Sequence, residues 1–168
     1  MLTATLSFVL LSGAAVAQEQ PDRSGTNVGG LDLREAIDIE ANEALFDDRS
    51  GVGEYRGDVI VRQGTLTLRG DRLRLFSEQR QPQRALLEGQ PARMVDDNPL
   101  APRDAEAREI DYSLVRDELI LRGDARVKTP SEDARGDEIR YSMRDDTLEA
   151  KATEGRRVRV TIMPREGK

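Results

Sequence analysis

An all-β fold made of one unit used twice is what this sequence predicts, from three observations. Apolar and polar residues alternate in short runs, most plainly from Tyr55 to Phe76, YRGDVIVRQGTLTLRGDRLRLF. There Val59 and Val61, then Leu66 and Leu68, then Leu73 and Leu75 each take alternate positions, and period-two alternation collects such residues on one face of a sheet. The pattern returns after 66 residues without a gap, carrying Arg56-Gly57-Asp58 onto Arg122-Gly123-Asp124 and Arg69-Gly70-Asp71 onto Arg135-Gly136-Asp137. The same shift carries Val61 onto Val127, Leu73 onto Ile139, Leu75 onto Tyr141 and Phe46 onto Tyr112. Finally, no stretch has a convincing amphipathic helical period; Leu31 to Ala36 has room for one short turn.

The repeated unit covers roughly residues 37–96 and 103–162, one supersecondary element used twice. Ile37 and Ile39 open the first strand, and Asp47 to Gly51 makes a turn. Ser77 to Arg84, with Pro82, reads as a polar loop. Leu86-Leu87 and Ala92 to Val95 read as two strands split by Glu88-Gly89-Gln90-Pro91. Asp96 to Asp104, with two prolines, joins the repeats, since proline is disfavoured in a central strand. In the second unit Ile110, Tyr112 and Leu114 alternate, and Arg116-Asp117 turns. Leu119 and Leu121, then Ile139, Tyr141 and Met143, then Val158, Val160 and Ile162 alternate in turn. Pro130 to Asp133 is a break, Asp145-Asp146 a turn, and Pro164 the end of the last strand. About a dozen or more short antiparallel strands follow, as a jelly roll, sandwich or solenoid.

The 168 residues point to one domain. Met1 to Ala17 is uncharged, has an apolar stretch at Leu6 to Leu11, and ends in Ala15-Val16-Ala17. That is the pattern of a secretory signal peptide cut after Ala17, although the usual basic start is missing. Its apolar stretch is too short for a membrane anchor, which needs about 20 residues. Residues 18–36 read as a flexible leader, 37–164 as the β domain and 165–168 as a tail. An exported chain is therefore expected. It has no Cys and no His, which removes disulfides, thiol chemistry, the usual general base and the commonest metal ligand. The net charge of −6 argues against nucleic acid as a default partner. Arg greatly outnumbers Lys; its fork suits phosphate and carboxylate, and genomic base composition gives the same bias.

Arg-Gly-Asp occurs four times. The spacings of 13 and 66 residues favour a strand-ending turn repeated with the unit over an adhesion signal. Asp47-Asp48, Asp96-Asp97 and Asp145-Asp146 sit at predicted turns, where Asp is common. The sequence carries no calcium-loop, phosphate-loop, zinc or serine-nucleophile pattern. No catalytic residue, metal ligand or cofactor is assigned. The alternating aliphatic face remains, and it fits either a dry core or an elongated apolar slot.

Ile37-Asp38-Ile39-Glu40, Tyr55 to Leu66 and Gly70-Asp71-Arg72-Leu73 resemble the OstA/LptA family, the periplasmic bridge proteins of lipopolysaccharide transport. The resemblance continues through Gly89-Gln90-Pro91-Ala92, Tyr112-Ser113-Leu114, Leu121 to Ala125 and Gly136 to Tyr141, and spans about Ile37 to Pro164. It implies a twisted, open β-jelly roll of about sixteen antiparallel strands. It further implies a periplasmic location, an apolar slot for lipid A acyl chains running end to end, and head-to-tail stacking. The implied partners are lipopolysaccharide, an inner-membrane LptC-type protein, an outer-membrane LptD-type translocon and copies of the same chain. The family's lining positions fall on Ile37, Ile39, Met94, Tyr112 and Leu114; the family often has an aromatic at Met94. With the alternating residues they make the expected slot: Ile37, Ile39, Val59, Val61, Leu66, Leu68, Leu73, Leu75, Met94, Ile110, Tyr112, Leu114, Leu119, Leu121, Ile139, Tyr141 and Met143. The other expectation is a non-catalytic exported assembly or adhesion module with a closed core.

Overall fold

The computed structural model describes residues 35–164. The expected signal peptide, the leader up to residue 34 and the tail lie outside the described residues. Ten strands follow in order: β1 (Asp38–Glu40), β2 (Glu43–Asp47), β3 (Val52–Gln63), β4 (Leu66–Glu78), β5 (Gln81–Asp96), β6 (Arg103–Ser113), β7 (Glu118–Lys128), β8 (Glu132–Ser142), β9 (Thr147–Lys151) and β10 (Arg159–Ile162). All belong to one antiparallel sheet, ordered β1-β3-β4-β5-β6-β7-β8-β10, with β2 also on β3 and β9 also on β8. Every long neighbour in the sheet is a neighbour in sequence, because two-to-six-residue turns join successive strands.

The Arg-Gly-Asp triplets do not end strands, as their turn chemistry predicts; they lie inside them. β3 runs through Gly57-Asp58 and β7 through Gly123-Asp124, and the register slips at each, between Arg56 and Val59 and between Arg122 and Ala125. Gly57 and Asp58 have φ of 78° and 48°, and Gly123 and Asp124 80° and 51°. Two consecutive left-handed residues kink a strand without ending its ladder, which is a bulge. Gly70 serves differently: an added Cβ there would stand 2.7 Å from the Glu88 carbonyl oxygen of the neighbouring strand. β5 has its own irregularity at Gly89 to Pro91, so Leu86-Leu87 and Ala92 to Val95 are one strand, not two. Aligned from strand to strand, these irregularities form a crease across the sheet.

The crease also accounts for the strand number. Six long strands cross it, while β1 with β2 and β9 with β10 lie on either side of it at the two edges. The described residues therefore hold ten strands rather than the roughly sixteen that the family resemblance implies, because six of them pass through the crease unbroken. The crease divides the sheet into a first half-sheet, with β1 and β10 at its edges, and a second, with β2 and β9. Their apolar faces meet. Val61, Leu68, Met94 and Val127 of the first and Leu73, Leu87, Ile110, Leu121 and Ile139 of the second share one buried cluster. Each fully buried Leu or Ile contributes about 1.5–3 kcal/mol.

Other expectations change locally. The predicted loop Ser77 to Arg84 is a tight hairpin in which only Gln79 and Arg80 leave the strands, at φ of 50° and 64°. Paired positive φ values match the twist of the flanking strands, and Pro82 stands near the start of β5. At Pro130 to Asp133 the chain breaks only as far as Ser131, since β8 begins at Glu132.

Candidate functional site

The site is the seam between the half-sheets. Of the seventeen expected lining residues, thirteen are buried in the shared cluster, and Ile37, Ile39, Leu75 and Met143 are half-buried against it. The fold therefore brings all of them to one inward face. The sequence reading missed Ala85, Leu87, Ala92, Ala105, Ala107, Ala125, Val127 and Ala134, which belong to the same cluster. Val127 was legible as the repeat mate of Val61. The alanines were not, because a small side chain gives little hydropathy contrast along a strand.

The expected slot is not an open furrow in this structure. Leu73, Leu87 and Leu119 are each 1 % exposed, and Leu121 and Ile139 0 %. Between the half-sheets a cavity of about 10 Å³ remains, bordered by Leu66, Leu68, Leu87, Met94, Ile110, Tyr112 and Leu119 among others. That is about the space of one water centre. Two aliphatic faces in water bury each other, so the leucines and valines fill the space they line. A wider groove of about 640 Å³ opens beside the β9–β10 edge, between Leu100, Pro102, Arg103, Tyr141, Leu148 and Val160.

Polar groups mark the rim opposite the crease. The Tyr112 hydroxyl donates to Asp117 Oδ1 at 2.9 Å and the Tyr141 hydroxyl to Asp146 Oδ1 at 2.6 Å. Each tyrosine thus keeps its ring in the apolar layer and its hydroxyl on the turn five residues on. Burial, reinforced by the Asp146 hydrogen bond, pushes the Tyr141 phenol up to about 12. Thr65 Oγ1 donates to Asp96 Oδ1 at 2.6 Å, and the Asn98 amide donates to the same oxygen at 3.1 Å. The Arg103 guanidinium, itself buried, lies 5.3 Å over the Tyr141 ring.

Charge is confined to the outer faces and the rim. Arg84 donates to both carboxylate oxygens of Asp111, at 2.7 and 2.8 Å, while Arg122 Nη1 donates to Glu109 at 2.7 Å and to Asp111 at 3.4 Å. Burial raises the Asp111 carboxyl, but Arg84 and Arg122 outweigh it and hold it below the usual range. Such ladders join neighbouring strands across the outer face, each pair contributing little by itself. The chemistry available at the seam is therefore mainly apolar contact. The expected lining positions are aliphatic or Met apart from Tyr112 and Tyr141, whose hydroxyls are held by Asp117 and Asp146, and Asp96 and Arg103 also border the cavity.

Three comparisons bear on this geometry. The family model for the LptA/(LptD N-terminal domain) LPS transport protein matches residues 38–147. The chain is similar to the lipopolysaccharide export system protein LptA of Escherichia coli strain K12, 26 % identical over 137 residues, covering 79 % of this chain and 74 % of that one. It is also similar to LptH of Pseudomonas aeruginosa, 28 % identical over 131 residues, covering 76 % and 74 %. The crystal structure of that LptH, described as the LptA-homologous periplasmic component of the lipopolysaccharide transport device, superposes with a TM-score of 0.72 at 25 % identity, over 80 % of this chain and 100 % of that one.

Proposed function

The chain belongs to the LptA/(LptD N-terminal domain) LPS transport protein family, and on that premise we propose that it is a periplasmic lipopolysaccharide-binding bridge. It shields lipid A acyl chains between its half-sheets and carries the lipid from the inner to the outer membrane. Its partners in this reading are lipopolysaccharide, an inner-membrane LptC-type protein, an outer-membrane LptD-type translocon and further copies head to tail. The reading involves no catalysis and no cofactor.

One observation carries it. A single apolar layer reaches from Ile39 on β1 through Leu68, Leu87, Ile110 and Leu121 to Ile139 and Leu148 at the other edge. The half-sheets that share it are continuous only through the crease. Burying a methylene is worth about 0.8 kcal/mol, so an acyl chain of about a dozen carbons costs roughly 10 kcal/mol to carry bare through water. Parting the half-sheets to admit such a chain exchanges leucine–leucine contact for leucine–acyl contact. The leucines stay buried in that exchange while the acyl chain gains burial, and because apolar contact is non-directional the lipid is held without a fixed anchor and can move on.

The filled interior favours a second reading, an exported assembly module with a closed core. A photo-crosslinking residue at Tyr112 or Leu66 separates the two. Both side chains border the residual cavity. Arg140 serves as the outward control, since its guanidinium donates to Glu118 at 2.8 Å on the outer face. Labelling of lipopolysaccharide at Tyr112 and Leu66 but not at Arg140 is expected. Labelling only at Arg140, or none, would leave the closed-core reading.

A further inference from the structure

Two rows of outward side chains cross the sheet on either side of the crease, one on each half-sheet. On the second half-sheet the row is neutral: Arg56, Arg72, Arg122 and Lys151 share it with Glu43, Glu88, Glu109 and Glu138. On the first half-sheet the mirror row is strongly basic. Arg69 of β4 faces Arg93 of β5, and Arg135 of β8 stands between Arg126 of β7 and Arg159 of β10. Glu106 separates the two groups, and Ile60 and Glu40 finish the row at the β1 edge. Five arginines thus meet two glutamates, in a chain whose net charge is −6. The neighbours one residue along, Leu68, Met94, Val127 and Ala134 among them, belong to the buried cluster. The row therefore lies on the opposite face of the sheet from the seam.

Like charges directly opposite each other on neighbouring strands are unfavourable. On the second half-sheet local pairing offsets this, since Glu54 binds both Arg56 and Arg72. On the first half-sheet the offset is incomplete. Asp133 takes Arg126 and Arg135, and Glu106 takes Arg93 at 3.6 Å and Arg126 at 3.8 Å. Arg69 and Arg159 pair with no carboxylate among the described residues, and both are exposed. Two shallow grooves, of about 360 and about 260 Å³, lie along the row and share Arg126. Arg93 and Lys128 border the first beside Asp104. Arg135, Arg156 and Arg157 border the second, where Arg156 already takes up Asp124 and Asp137.

We propose that this outer face of the first half-sheet docks on a lipid surface that presents phosphate monoesters. The inference goes beyond the bridge reading, which uses the other face of the sheet. Opposed guanidinium forks, about 4.8 Å apart, concentrate more positive charge than one carboxylate balances. A phosphate monoester carries about 1.5–2 negative charges at neutral pH and three acceptor oxygens. Arginine's planar fork also meets phosphate oxygens in pairs. From β4 to β10 the row crosses five strand steps, about 24 Å at the usual strand spacing. One soluble phosphate covers a single step of that length, whereas lipid headgroups present phosphates side by side in a plane. Docking through this face leaves the seam unobstructed.

Vesicle co-sedimentation of the full chain tests the face. Phosphatidylcholine vesicles carrying phosphatidic acid, a phosphate monoester, are compared with vesicles carrying phosphatidylglycerol, a diester, at matched surface charge. Tighter binding to the phosphatidic acid vesicles is expected, weakening with salt. Arg69→Gln with Arg159→Gln should weaken it about twentyfold, at about fivefold for each arginine. Arg56→Gln with Lys151→Gln, the same charge change in the mirror row, should alter it less than about twofold, because that row lies on the other half-sheet beyond the crease. All four side chains are exposed, so both variants keep the fold. No binding to phosphatidic acid vesicles, equal binding to the two anionic vesicles, or equal losses from the two rows would each overturn the proposal. So would release by inorganic phosphate at the concentration of the lipid phosphate, or equally tight binding to polyglutamate. Lipid labelling at Tyr112 is read separately, so the bridge reading stands or falls on its own result.

Discussion

The guanidinium of Arg103 on β6 covers the ring of Tyr141 on β8 at 5.3 Å, tying the first half-sheet to the second at the rim. Both side chains are nearly buried, and a desolvated pair of this kind is worth about 2 kcal/mol. In urea unfolding, Arg103→Met and Tyr141→Leu should each destabilise the chain. A double-mutant cycle should return a coupling of about 1–2 kcal/mol between them. Additive effects would mean that the contact does not hold the half-sheets together.

The crease glycines should not be interchangeable. Gly57→Ala asks a residue with a Cβ to keep a φ of 78° beside the Asn42 side chain, which is able to move. A loss of about 1 kcal/mol is expected. Gly70→Ala sets a Cβ 2.7 Å from the Glu88 carbonyl oxygen, where main chain has to yield. Its loss should be larger, up to about 3 kcal/mol. Chemical denaturation midpoints at constant slope give the order.

Two isoleucines with similar sequence surroundings should separate sharply. Ile139 is 0 % exposed and Ile162 is 75 % exposed. Ile139→Ala should cost about 2–5 kcal/mol in unfolding. Ile162→Ala should change stability by less than about 0.5 kcal/mol. Thermal melts of the two variants check the difference.

Acid should release the strand-to-strand tie between Arg126 and Asp133 only at low pH. Hydrogen bonds from Arg126 hold the Asp133 carboxyl down at about 2, against an ordinary 3.8. A carboxyl lowered in the folded state contributes stability that is complete above the unfolded value and lost as pH falls through the folded one. The wild-type chain should therefore lose stability between about pH 4 and pH 2. Asp133→Asn, already lacking that contribution, should show a flatter acid limb in denaturation followed across the same range.

Much of the fold was legible before any coordinates. Alternation at Val59 and Val61, Leu66 and Leu68, and Ile139 and Tyr141 identified the inward face, because a strand turns each successive side chain to the opposite side. The 66-residue echo identified the repeat, and β3 and β7 do begin that far apart, at Val52 and Glu118. The family resemblance agrees with the family match, but its count of about sixteen strands exceeds the ten of the described residues, because six of them run on through the crease. The Arg-Gly-Asp triplets misled, since Gly followed by Asp serves a turn and a bulge equally well. What separates the two is whether a neighbour strand continues its ladder past the kink.

Composition and period therefore settled the class, the doubling and the set of greasy positions, since each depends on local residue order alone. The crease, the meeting of the half-sheets and the near-absence of free volume between them came from the assembled chain. They depend on how strands distant in sequence align their bulges and how tightly side chains from both layers interlock. No single strand carries that information, because packing is a property of the faces once they have met.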